Sequence, residues 1–272
     1  MSHENSADKP VTRRSEAPGG VVAEQMVRGN IGWILALAIG CAALAGHGRE
    51  SSEEVMGLAA SNREPMAGDM RLGVIPTISP FLLHCVLPGL NRRYPALRLY
   101  LREEQTTTLL DRLRAGDIDV ALIALPYDIE GLAFKNVLRD EFEFACNENN
   151  PLANEKVITL DAFADPPLML LEEGHCLRGH ALDACQLYDR RDRAQFEASS
   201  LHTLVQMVAA GIGVTLLPKL AIDARITRGT NIRLVPLSTV ASRQIGLVWR
   251  QSSLRAREFE LLGDTLVSLV NG

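Results

Sequence analysis

Asp119–Leu125 reads DVALIAL, a run with one charge at its start and no alternation of apolar and polar residues. An unbroken apolar segment of this length marks a strand covered on both faces, as in a parallel sheet flanked by helices. Upstream, Arg71–Ile78 is a second short apolar strand ending in Pro76-Thr77, and Leu97–Glu103 alternates as a third. Between these strands, Phe81–Tyr94 places Leu82, Leu83, Val86, Leu87 and Leu90 on one helical face, and Thr107–Ala115 is a helix stopped by Gly116. The order β-α-β-α-β predicts an α/β fold with a doubly wound sheet and right-handed crossovers.

The theme repeats downstream. Pro167–Leu171, Val214–Leu217 and Gln244–Trp249 read as strands, Leu201–Ala210 as a helix, and Ser253–Val270 as an amphipathic closing helix. Two Rossmann-like lobes of roughly 100 residues each, joined by crossing strands, fit this layout. Ligands of such sheets sit at the carboxyl ends of the strands, here between the lobes. The loops Pro76–Pro80, Glu104–Thr108 and Leu171–Cys185 are therefore where a site is expected.

The first 50 residues have another texture. Residues 1–29 are polar, rich in Ser, Pro and Gly, and read as disordered. Ile31–Gly46 is an apolar run of 16 residues, short of the roughly 20 that span a bilayer but compatible with the core of a secretory signal. A poorly defined apolar helix is the other reading, and no stable membrane insertion is expected. Ser51-Ser52-Glu53-Glu54 forms a capping box ahead of Val55, Leu58 and Ala59, so a short helix opens there and ends near Gly68-Asp69. With 28 Lys and Arg against 33 Asp and Glu, the formal charge is −5, and neither a basic excess nor a basic stripe supports direct nucleic-acid binding.

Five cysteines, Cys41, Cys85, Cys146, Cys176 and Cys185, are too few and too scattered for a disulfide-built scaffold, and no CxxC is present. Cys85 and Cys146 lie among apolar residues and read as packing thiols. Cys176 stands between His175 and Arg178, either of which would stabilise a thiolate. A metal site from His175, Cys176, His180 and Cys185 matches no common zinc spacing. Gly211-Ile212-Gly213 reads as a helix cap leading into a strand, and Arg190–Arg193 as a solvated turn.

MRLGVIPTIS (Met70–Ser79), DIDVALIAL (Asp117–Leu125), LLEEGHCLR (Leu170–Arg178) and VAAGIGVTLLP (Val208–Pro218) resemble the effector domain of LysR-type transcription regulators. Gly-His-Cys-Leu-Arg with a second cysteine nine residues on is, more narrowly, similar to the OxyR hydrogen-peroxide sensors. The resemblance runs from about Ser52 to the C-terminus. It implies two lobes of the type 2 periplasmic-binding-protein kind, a cytoplasmic homo-oligomer (dimer or tetramer), no cofactor and no turnover chemistry. It also implies a linker helix whose remnant is 51–68, and a regulatory domain over 69–272, with lobe I near 70–144 plus 250–272 and lobe II near 145–249. Residues 1–50 show nothing of the family's winged helix-turn-helix, through which such regulators bind DNA. A truncated or rearranged gene is the expectation, acting through hetero-oligomers with an intact family member.

By the same resemblance Cys176 reacts with peroxide through a sulfenic acid, Cys185 resolves it as a disulfide, and a thiol reductant of the glutaredoxin or thioredoxin type reverses it. Thr77, Thr106 and His175 would hold peroxide and its leaving oxygen, with Thr107 as a substitute for Thr106; Ser199 and Ser200 align with a pair lining effector pockets, and His202 stands where an acidic residue is expected. If 176–185 is helical when reduced, nine residues at 1.5 Å each separate the Cα atoms by roughly 13–14 Å. A disulfide tolerates at most about 7 Å, so oxidation must remodel the segment. An exported two-lobed solute-binding protein, and a LysR effector domain for a small organic acid, are the alternatives.

Overall fold

The computed structural model describes residues 65–163, 167–184 and 196–271. The segment read as disordered, the apolar run, the helix expected at Ser51–Ser61, Cys41, Cys185 and Arg190–Arg193 lie outside these. Among the described residues no helix is long and apolar enough to cross a membrane.

Strand β1 (Gly68–Val74) pairs in parallel with β2 (Leu97–Glu103) on one side and β3 (Val120–Leu125) on the other. Helix α1 (Ser79–Arg93) connects β1 to β2, and α2 (Thr106–Ala115) connects β2 to β3. All six residues of β3 are buried, as its apolar run requires. Gly116 ends α2 in the left-handed region at φ 84°, where only glycine is free of a Cβ penalty.

Two long strands then carry the chain between lobes. β4 (Leu132–Asn147) and β9 (Ser242–Arg250) are antiparallel neighbours, with a register shift between Asn136 and Leu138. β9 also pairs with β3, while the far end of β4 pairs with β7 (Thr215–Pro218) and β8 (Ile232–Val235), giving the order β2-β1-β3-β9-β4-β7. The second lobe adds the parallel pair β5 (Met169–Leu171) and β6 (Phe196–Ala198), and helices α3 (Cys176–Ala184), α4 (Leu201–Ala209) and α5 (Lys219–Asp223). Helix α6 (Ala256–Asn271) returns to the first lobe through Phe259, Leu262 and Leu266.

Each lobe has its own core. The first gathers β1, β3, α1, α2 and α6, and the second Phe144, Cys146, Met169, Leu204 and Val208 with α3. Phe142 already packs in the second core and Ile245 through Trp249 in the first. The chain therefore changes core within β4 and β9, because both strands run continuously through the two lobes. Gly211 sits just past α4 at φ 77°, as the helix-cap reading expects. A Cβ on Gly213 would collide with the Pro167 carbonyl oxygen and press on Met169. Gly213→Ala is therefore expected to cost about 1–3 kcal/mol, measured as a lower midpoint in urea.

Candidate functional site

Helix α3 belongs to the second lobe by its apolar face: Leu177, Ala181 and Leu182 are buried in that core. Its first residue, Cys176, packs instead against the first core. The thiol thus stands at the seam, at the N-terminus of a helix, where partial positive charge favours an anion. Over it lies a shallow cleft lined by Ile75, Pro76 and Thr77 after β1, Gln105 and Thr106 at the start of α2, and Gly174, His175 and Cys176 before and at the start of α3. These are the three loops at the carboxyl ends of the strands named above. Gly174, at φ 94°, leaves room for the Gln105 side chain, whose Oε1 would lie 2.6 Å from a Cβ there.

Beneath the cleft is a buried charge network. Arg243 and Asp140 are register partners on β9 and β4 and are 2% and 1% exposed. Arg243 Nε donates to Asp140 Oδ2 at 2.9 Å, Nη1 to Thr77 Oγ1 at 2.9 Å and Nη2 to the Thr77 carbonyl at 3.0 Å. Asp140 Oδ1 accepts from the Leu220 backbone N–H at 2.8 Å, in the first turn of α5. A guanidinium only donates, so the Thr77 hydroxyl accepts from it and keeps its own proton free for the cleft. The buried Thr106 hydroxyl has no hydrogen-bond partner and lies near enough to Cys176 to favour its thiolate.

Burial opposes ionisation of Cys176 more than any other single influence. The His180 ring, the Arg243 charge and the Thr106 hydroxyl together outweigh it, and the thiol ionises below its ordinary value. The cations responsible are thus not the sequence neighbours. Arg178 turns away from the cleft, with Nη1 on the Leu171 carbonyl at 3.2 Å and on the Glu197 carboxylate. His175 lines the cleft. Thr107 is exposed on α2 outside it. Ser200 caps α4, its Oγ accepting from Thr203 N–H at 3.1 Å, and Ser199 precedes it; neither lines the cleft. His202 stacks on Phe81 with ring centroids 5.6 Å apart.

The other thiols divide. Cys146 is buried, and burial pushes its ionisation up. Cys85, expected in packing, is exposed, with His84 Nε2 3.0 Å from its sulfur. The reason is helical phase: Leu82, Val86 and Leu90 face inward from α1, which turns 84 and 85 to solvent. Sequence reasoning missed Arg243 as a thiolate partner and weighed His180 only as a metal ligand. The spacing from Cys176 to His180, one turn on a single helix, is the signal that finds the second; nothing in the sequence links Arg243 to residue 176.

A family model described as the LysR substrate binding domain matches residues 63–270. The chain belongs to that family. This LysR substrate-binding domain is 37% identical over 216 residues to the HTH-type transcriptional regulator EstR of Acinetobacter baylyi, spanning 79% of the chain and 71% of that protein. It is 39% identical over 224 residues to a probable hydrogen peroxide-inducible genes activator of Mycobacterium avium, spanning 82% and 72%. Among solved structures, the reduced regulatory domain of OxyR2 from Vibrio vulnificus superposes with a TM-score of 0.72 at 42% identity, covering 76% of this chain and 98% of that one.

Proposed function

We propose that this domain is the hydrogen-peroxide sensor of an OxyR-type transcription activator in the cytoplasm, with Cys176 as the reacting thiol. The observation that carries the reading is the seat of Cys176: a thiol biased toward thiolate under a cleft lined by polar groups. The cleft ends on this thiol, which favours peroxide over a small organic acid or a transported solute, neither of which needs a reactive sulfur. The kinship with peroxide-inducible activators supports the same choice.

The thiolate attacks one peroxide oxygen. An S–O bond forms as the O–O bond breaks, sulfur is oxidised to the sulfenic acid, and the departing hydroxide takes a proton to leave as water. Thr77 and His175 line the cleft where that oxygen leaves. The Cys185 thiol then displaces the hydroxyl from sulfur, a disulfide forms and a second water departs. Each cycle consumes two thiols, so the domain is a switch reset by a glutaredoxin- or thioredoxin-type reductant and not a turnover catalyst. It acts within a homo-oligomer or paired with an intact family member.

The test is a thiol count with peptide mapping before and after one equivalent of hydrogen peroxide. Rapid loss of two thiols, mapped to a Cys176–Cys185 bond and abolished by Cys176→Ser, is expected. Both thiols staying free while peroxide persists would overturn the proposal.

A further inference from the structure

His180 lies four residues after Cys176 on α3, is 7% exposed, and points into the seam between the lobes. Its Nε2 is 2.9 Å from the Pro126 carbonyl oxygen, at the end of β3. A carbonyl only accepts, so Nε2 carries the proton in every charge state. In the neutral ring Nδ1 is then a bare lone pair. It is buried with no hydrogen-bond partner, and Cys176 lies one turn earlier on the same helix, near enough for the two groups to shift each other's ionisation. A buried, unpartnered acceptor one helical turn from a thiol, in a fixed tautomer, is the arrangement of a base that activates a nucleophile. His180 does not line the cleft.

We infer that His180 is the proton acceptor that ionises Cys176, and that the Pro126 carbonyl fixes it in that role. The inference rests on the reading of Cys176 as the reacting thiol. The S–H bond breaks and an Nδ1–H bond forms, giving a thiolate beside an imidazolium whose two N–H groups face sulfur and carbonyl. The charged groups around the pair are Arg243 from β9, neutralised by Asp140 on β4, and Tyr127 beside Pro126 is the other titratable group near the sulfur. Burial would hold the ring neutral. The hydrogen bond to Pro126 and the interaction with Cys176 outweigh burial and the Arg243 charge, and the ring protonates above its ordinary value. Once sulfur is oxidised, that anion is gone. The imidazolium, left beside Arg243, gives up its proton, and the count closes on the water formed: thiol plus peroxide yields sulfenic acid plus water. Oxidation thus also weakens the contact that seats α3 on the first lobe.

The test uses the full chain and needs no peroxide. Cys176 alkylation by iodoacetamide is followed by peptide mass spectrometry from pH 5 to 9, in wild type and in His180→Gln, whose amide still reaches Pro126 but takes no proton. At pH 6.5 the variant is expected to react at least about tenfold more slowly, with the two rates converging at high pH. Superimposed profiles would overturn the inference, and so would a loss by the same factor at every pH, which marks a structural role. Should the variant not fold, histidine side-chain NMR of the wild type decides: His180 protonated at pH 7.5 when reduced and neutral after oxidation supports it, and a ring neutral when reduced overturns it. A shifted alkylation profile in a protein inert to peroxide would leave the base in place and remove the sensor.

Discussion

Replacing Arg243 by methionine slows the reaction of Cys176 with peroxide by about a hundredfold at neutral pH, the scale of losing one preorganised charge at a reacting centre. The same change strands Asp140, 1% exposed, without its counter-ion and costs about 3–5 kcal/mol of stability. The two effects separate in Arg243→Met combined with Asp140→Leu. Replacing a buried pair by apolar residues is often neutral for stability, apart from about 1 kcal/mol for the lost bond to Leu220 N–H. The double variant is expected to unfold in urea near the wild-type midpoint while reacting as slowly as Arg243→Met. Recovery of both properties would mean that Arg243 acts through folding alone, and an unchanged rate in the single variant would remove it from the site.

The charge pair also shows where the sequence stops being legible. DVALIAL announces a strand covered on both faces because every side chain there answers to one environment, and β3 is buried throughout. β4 gives no such signal. Its Lys135, Arg139, Glu141 and Glu143 break any apolar run, and its one fully buried acid, Asp140, is explained only by a partner 103 residues away. Crossing strands exchange environments midway, so a periodicity tuned to one core fails along their length. The loops that build the cleft were legible as strand ends, and Thr77, Thr106, His175 and Cys176 do meet there. The residues that make the thiol acidic were not, since electrostatic reach follows the fold and not the chain: adjacent Arg178 pairs with Glu197 while the charge of distant Arg243 favours the thiolate.

Oxidation by one equivalent of peroxide speeds amide hydrogen exchange at His180–Ala184 by at least about a hundredfold, the shift expected when a structured helix is replaced by an open segment. In the reduced domain these amides lie in α3, which runs from Cys176 to Ala184, so they bond back to carbonyls one turn earlier. A helix of nine residues is marginal on its own. This one is held by Leu177, Ala181 and Leu182 in the second core, by Arg178 on Leu171 and Glu197, and by His180 on Pro126. A disulfide requires Cα atoms within about 7 Å, and the helix spans roughly 12 Å from Cys176 to Ala184 at 1.5 Å per residue. Cys185 follows Ala184 directly, so the bond cannot close until the helix opens. Opening withdraws buried leucines worth about 1.5–3 kcal/mol each, which confines the change to the segment between the two sulfurs and leaves β1 and β3 protected as before. The same peroxide pulse on Cys185→Ser should produce the sulfenic acid at Cys176 without the burst of exchange. A disulfide formed with α3 still protected would show that the bond closes without remodelling, and the helix would then carry no signal.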